Sequence, residues 1–114
     1  MAYDEELADR IRELLIDQSA VSEKKMFGGL AFLIRGNMAV AASGQGGLLV
    51  RVDPAKFDKF VAKGVRPMEM RGREMHGWLR VDDDVVRTTS QLTKWVERGT
   101  SYARSLPAKK TKKR

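Results

Sequence analysis

A chain of 114 residues with 42% hydrophobic content has the length of one domain and enough apolar side chains for its own core. It contains no cysteine, which excludes a disulfide framework, thiolate catalysis and Cys-ligated zinc or iron–sulfur centres. The net charge of +7 is largely a property of the C-terminus: without Lys109, Lys110, Lys112, Lys113 and Arg114, 17 basic residues face 15 acidic ones.

The first residues, Met1 to Arg12, are acidic and amphipathic, unlike a secretory leader. No apolar run approaches the roughly 18 residues of a membrane span. A cytoplasmic protein without membrane contact is expected. Asp4 is placed to cap a helix over residues 4–17, with Glu5, Glu6 and Asp9 favoured by the helix dipole. Leu7, Ile11, Leu14, Leu15 and Gln18 mark its buried stripe.

The stretch Lys24 to Met38 combines a basic lead-in, the pair Gly28-Gly29 and the apolar run Leu30–Ile34. A two-residue turn of type II′ is predicted at Gly36-Asn37. Met38–Ala42 and Leu48–Val52 complete an antiparallel meander, with residues 43–47 as the looser second turn. Asp53-Pro54 predicts a helix start, Phe57, Phe60 and Val61 its apolar face, and Gly64 its end. Met68-Glu69-Met70 and Trp78–Val81 read as a second hairpin. Thr88 and Gln91 form a capping box for a last helix that keeps its apolar spacing to Leu106 and stops at Pro107. The predicted fold is α+β, a two-layer α/β sandwich of order α-β-β-β-α-β-β-α with an antiparallel sheet. Residues 1–107 form the domain, and 108–114 a disordered basic tail.

An antiparallel strand with one wet face alternates, whereas Leu30–Ile34 and Met38–Ala42 are apolar throughout. A homodimer through the outer face of the sheet is the expectation that follows. Chemistry is sparse. His76 is the single histidine and has no recognisable nucleophile–base partner, and Asp82-Asp83-Asp84 are adjacent residues that cannot all face one cation. No catalytic residue, metal site or cofactor is predicted. Gly28-Gly29 with Lys25 and Arg66 are candidates for a small-ligand or nucleotide cleft, although neither Gly28-Gly29 nor Gly44-Gln45-Gly46-Gly47 matches a phosphate-binding motif. Lys109, Lys110, Lys112, Lys113 and Arg114, together with Arg71 and Arg73, are candidates for nonspecific, salt-sensitive attraction to DNA.

Lys24–Phe32, Gly36-Asn37-Met38, Val50-Arg51-Val52, Arg66-Pro67-Met68, Gly77-Trp78 and Trp95-Val96 together resemble the N-terminal domain of the TfoX/Sxy family. The likeness covers about residues 2 to 107. It implies an α-β(3)-α-β(2)-α sandwich, in agreement with the elements above. It also implies a role in transcription: fuller members regulate natural competence alongside the cyclic-AMP receptor protein. Those members carry a second, helical domain, where this sequence has the basic tail, so a standalone form is expected. A non-enzymatic regulatory or adaptor module, contacting a protein of the transcription machinery, is the function the resemblance implies. It supplies no catalytic or ligand residue to carry over.

Overall fold

A computed structural model describes residues 3–26, 28–44, 46–70 and 72–107, apart from the side chains of Met26, Met70 and His76. Helix α1 (Glu5–Leu14) leads into strands β1 (Val21–Met26), β2 (Gly29–Ile34), β3 (Asn37–Ala42) and β4 (Leu48–Arg51). A 3-10 turn (Pro54–Lys56) and the short helix α2 (Phe57–Phe60) follow. Strands β5 (Val65–Met70) and β6 (Arg73–Val81), a second 3-10 turn (Asp83–Val86) and helix α3 (Thr89–Ser105) complete the domain. All strand pairs are antiparallel, in the order β1-β2-β3-β4-β6-β5. The α+β sandwich is the one expected, and the predicted caps form. Asp4 Oδ1 accepts from the Glu6 and Leu7 N–H groups, the Asp53 carboxylate from the Ala55 N–H, and Thr88 and Gln91 cap each other.

The sheet's inner face carries Leu30, Phe32, Val40, Leu48, Val50, Leu79 and Val81 against Leu7, Ile11, Leu15, Leu92, Trp95 and Val96 of the helices. Gln18 is not part of that stripe: it is exposed, and its Oε1 accepts from Arg104. Ala31, Ala41, Leu49 and Met38 form a second buried cluster on the opposite face, with half-buried Leu33, Met68 and Trp78 packed on it. Ile34 and Ala39 form a third small cluster with Ala103, so the unbroken apolar runs are divided among three clusters within one chain, because successive side chains alternate across the sheet.

Three local features differ from expectation. Val21–Met26 is an additional edge strand, missed because its side chains are mostly charged; lysines on an edge strand hinder pairing with a second chain. The β2–β3 turn is Arg35-Gly36, not Gly36-Asn37. Both turn residues have positive φ, 51° and 85°, the type I′ signature. Asn37 instead opens β3, is buried, and donates from Nδ2 to the Pro107 carbonyl at 2.9 Å. Val61 is 41% exposed rather than part of the core, because α2 ends at Phe60.

Two bulges shape the sheet. Phe32 pairs with Val40 and Leu33 with Met38, which leaves Ala39 unopposed. Pro67 pairs with Leu79 but Met68 with Met75, so His76, Gly77 and Trp78 loop out of the β5 register. Pro67, with no N–H to donate, sits on this edge strand at the irregularity, as the chemistry of proline requires. On its other side the loop is held, since the Gly77 carbonyl accepts from the Val52 N–H at 2.8 Å.

Candidate functional site

The topology gives the sheet two unlike ends. At one lie the Gly28 turn, the loop between β3 and β4, Gly64 and Asp82–Asp84. At the other lie the Arg35-Gly36 turn, the β5–β6 hairpin and the last turn of α3, after which the chain leaves at Pro107.

The cleft candidates do not share a cleft. Lys25, Gly28 and Gly29 belong to the β1–β2 end, and Arg66 lies on β5 with β3, β4 and β6 between. Gly28 is an exposed turn residue with φ +77° and open space around it. Gly29 is buried, and a Cβ there would collide with the Ala42 carbonyl oxygen, so its lack of a side chain serves close strand packing. The crevice beside it, against Met38, Ala41 and Leu49, is about 10 Å³, room for no ligand larger than a water. Arg66 pairs with Asp82 at 2.9 Å on the rim of a separate polar dent of about 280 Å³ that also includes Arg80, Asp83 and Asp84.

Arg73 is exposed on the β5–β6 hairpin, at the end of the sheet where Pro107 lies. Arg71, Lys109, Lys110, Lys112, Lys113 and Arg114 lie outside the described residues. Arg35 has a structural use at this end. Its Nη2 donates to the carbonyls of Arg104 (2.7 Å) and Leu106 (3.2 Å), placing a cation on the negative end of α3.

The charges on the β1 side form a docking clamp. Arg12 of α1 donates from Nε and Nη2 to both oxygens of Glu23, at 2.6 and 2.9 Å, and from Nη1 to Asp9 at 2.6 Å. The Arg12 hydrogen bonds hold the Glu23 carboxyl below its ordinary value of 4.5, against a smaller desolvation effect; the same pairing raises Arg12. Because the folded-state pKa is depressed, the clamp's contribution is complete above the ordinary value and disappears as pH falls through the folded one. Denaturant titrations of the native chain and Glu23→Gln should therefore differ modestly near neutral pH and converge in acid. The exposure of both partners keeps the difference small.

A concavity of about 480 Å³ lies between the Asp53–Phe60 segment and α3. Lys56 and Phe60 form one wall, and Lys94, Arg98, Ser101 and Tyr102 the other. Arg98 is half-buried, with its guanidinium carbon 4.6 Å from the Phe60 ring centre and 4.5 Å from that of Trp95. The two rings meet edge to face at 5.9 Å. Arg51 lies similarly between Trp78 (5.3 Å) and Tyr102 (5.6 Å). Among the described residues, the side chains of Lys56, Lys94 and Arg98 have no hydrogen-bond or ion-pair acceptor. Phe60, expected on the apolar face of its helix, does pack on the core cluster but is only half-buried and also lines the groove, as does half-buried Tyr102. The one usable signal was Lys94 and Arg98 at i and i+4 on the helix that carries Tyr102.

Among the described residues, no group of three or more His, Cys, Asp or Glu is placed to hold a metal ion, and no helix is long and apolar enough to cross a membrane. A family model described as TfoX N-terminal domain matches residues 13–103, from the last turn of α1 to the last turn of α3. No curated protein matches the chain.

Proposed function

The chain belongs to the TfoX N-terminal domain family, and from that premise we propose that it is a non-enzymatic regulatory or adaptor module of the kind found in competence regulators. It works in the cytoplasm by contact with a protein of the transcription machinery, and the basic tail adds a weak, nonspecific attraction to DNA. The match over residues 13–103 carries this reading. Exposed Arg73 lies at the end of the sheet where Pro107 lies, which supports the second part because a cation of the body sits near the point where the basic segment begins in the sequence. Self-association through the outer sheet face belongs to the same proposal and is supported by half-buried Leu33, Met68 and Trp78 there.

Affinity capture of the tagged chain from its own cells, after crosslinking, should enrich a transcription protein. Gel shifts should show salt-sensitive DNA binding that falls sharply when residues 109–114 are deleted. Capture without any transcription protein would overturn the regulatory reading, and binding undiminished by the deletion would overturn the role of the tail. Light scattering at tens of micromolar tests the dimer, and a clean monomer there would remove it.

A further inference from the structure

We propose that the groove between the Asp53–Phe60 segment and α3 is a binding site for a small organic phosphate of mononucleotide size. The inference goes beyond the regulatory reading and holds whether or not the chain acts in transcription.

Arg98 is the centre of the argument. A guanidinium loses rotational freedom when it binds an anion, and that loss weakens most surface receptors. Here two rings already hold the group, at 4.6 and 4.5 Å, before any ligand arrives. Cation–π attraction to these two rings, which stand 71° apart, holds the charge without supplying an oxygen acceptor to its N–H groups. Those N–H groups have no hydrogen-bond or ion-pair acceptor among the described residues. A planar fork of donors held in place and unsatisfied is suited to bidentate recognition of phosphate.

The surroundings favour the same ligand. Lys94 precedes Arg98 by one helical turn and Lys56 faces both from the other wall, so three cations converge on one groove. Asp53, whose carboxylate also accepts from the Ala55 N–H at 2.9 Å, and Glu97 line it too, so three cations against two carboxylates leave the groove net positive. A bare anion would fill little of the roughly 480 Å³, which is within the range of small-molecule sites. The half-buried Phe60 and Tyr102 rings line the groove and provide aromatic surface of the type on which nucleobases stack. Ser101 adds a hydroxyl for a sugar or phosphate oxygen. An acidic peptide would use the cations but leave these rings without a partner.

Titration calorimetry of the full chain with adenosine monophosphate at low ionic strength tests the proposal. Saturable one-to-one binding with Kd below about 1 mM is expected. Adenosine and inorganic phosphate, each carrying half of the recognition, should bind more weakly. Loss of a charge-assisted contact should weaken adenosine monophosphate about tenfold or more in both Arg98→Ala and Lys94→Ala. Arg98→Lys should recover little of the loss, because an ammonium lacks the fork. Lys94 is exposed and unpaired, so its variant keeps the test valid even if Arg98→Ala disturbs the packing of Phe60 and Trp95. Lys24→Ala, on an exposed strand position away from the groove, should bind as the native chain does. No saturable binding, or binding undiminished in both variants, would overturn the proposal. Phosphate alone binding as tightly would reduce the groove to a bare anion site, and adenosine alone binding as tightly would remove the phosphate from it; either result overturns the mononucleotide assignment.

Discussion

Gly99→Ala should destabilise the protein by about 1–3 kcal/mol, lowering its melting temperature by several degrees or more. The sign is the informative part. Glycine in a helix interior normally costs roughly 0.5–1 kcal/mol relative to alanine, so propensity alone predicts a gain. At this position a Cβ would lie 2.5 Å from the Ala39 carbonyl oxygen and 2.8 Å from Val40 Cγ1. The Ala39 oxygen belongs to the bulged residue of β3 and cannot rotate away as a side chain would. Either α3 lifts from the sheet or the bulge is rebuilt, and both disturb the contacts of Leu92, Trp95 and Val96. Thermal melts by circular dichroism measure the effect. An unchanged or raised melting temperature would mean that the helix and sheet do not approach as closely as described.

Phe32→Ala should be more costly, about 3–5 kcal/mol, a large part of the roughly 5–15 kcal/mol that holds a typical domain together. Phe32 is 1% exposed, on β2 opposite Val40, in the cluster that joins sheet and helices. The loss combines transfer of the ring to water with the cavity left among neighbours that are held by sheet pairing and collapse little. Urea titration should show a much lower midpoint with a similar slope. A loss below about 1 kcal/mol would show that the core repacks far more freely than an antiparallel sheet permits.

Much of the architecture was legible in the residues because the governing effects are local. Asp4, Asp53 and Thr88 announce helix starts through side chains that satisfy nearby N–H groups. Leu7, Ile11 and Leu15, or Leu92, Trp95 and Val96, announce buried faces through spacing. The failures have a common cause. Val21–Met26 lacks an apolar pattern, since as an edge strand it is tied to its neighbour by backbone hydrogen bonds and to α1 by the Glu23–Arg12 pair. The turn moved by one residue because Asn37, a good turn former, finds a better use holding the Pro107 carbonyl, 70 positions away. Gly28-Gly29 looked like one feature and is two: a left-handed turn residue and a buried close approach.

The groove was the least legible part. Its Phe60 and Tyr102 obey the helical spacing of core residues, yet each keeps part of its ring at the surface. Nothing in the spacing reveals that Arg98 lies over Phe60 and Trp95, or that Lys56 faces Lys94 across a gap. Composition, caps and periodicity by themselves determined the fold class, the placement of the helices, the meander and the concentration of charge at the C-terminus. These depend on interactions between residues a few positions apart. Only the tertiary structure decided that the proposed cleft residues lie strands apart, that the apolar runs serve three clusters, and that an arginine is held on aromatic rings with no acceptor for its donors among the described residues. Those outcomes depend on which distant segments the sheet order and its bulges bring within a few ångströms.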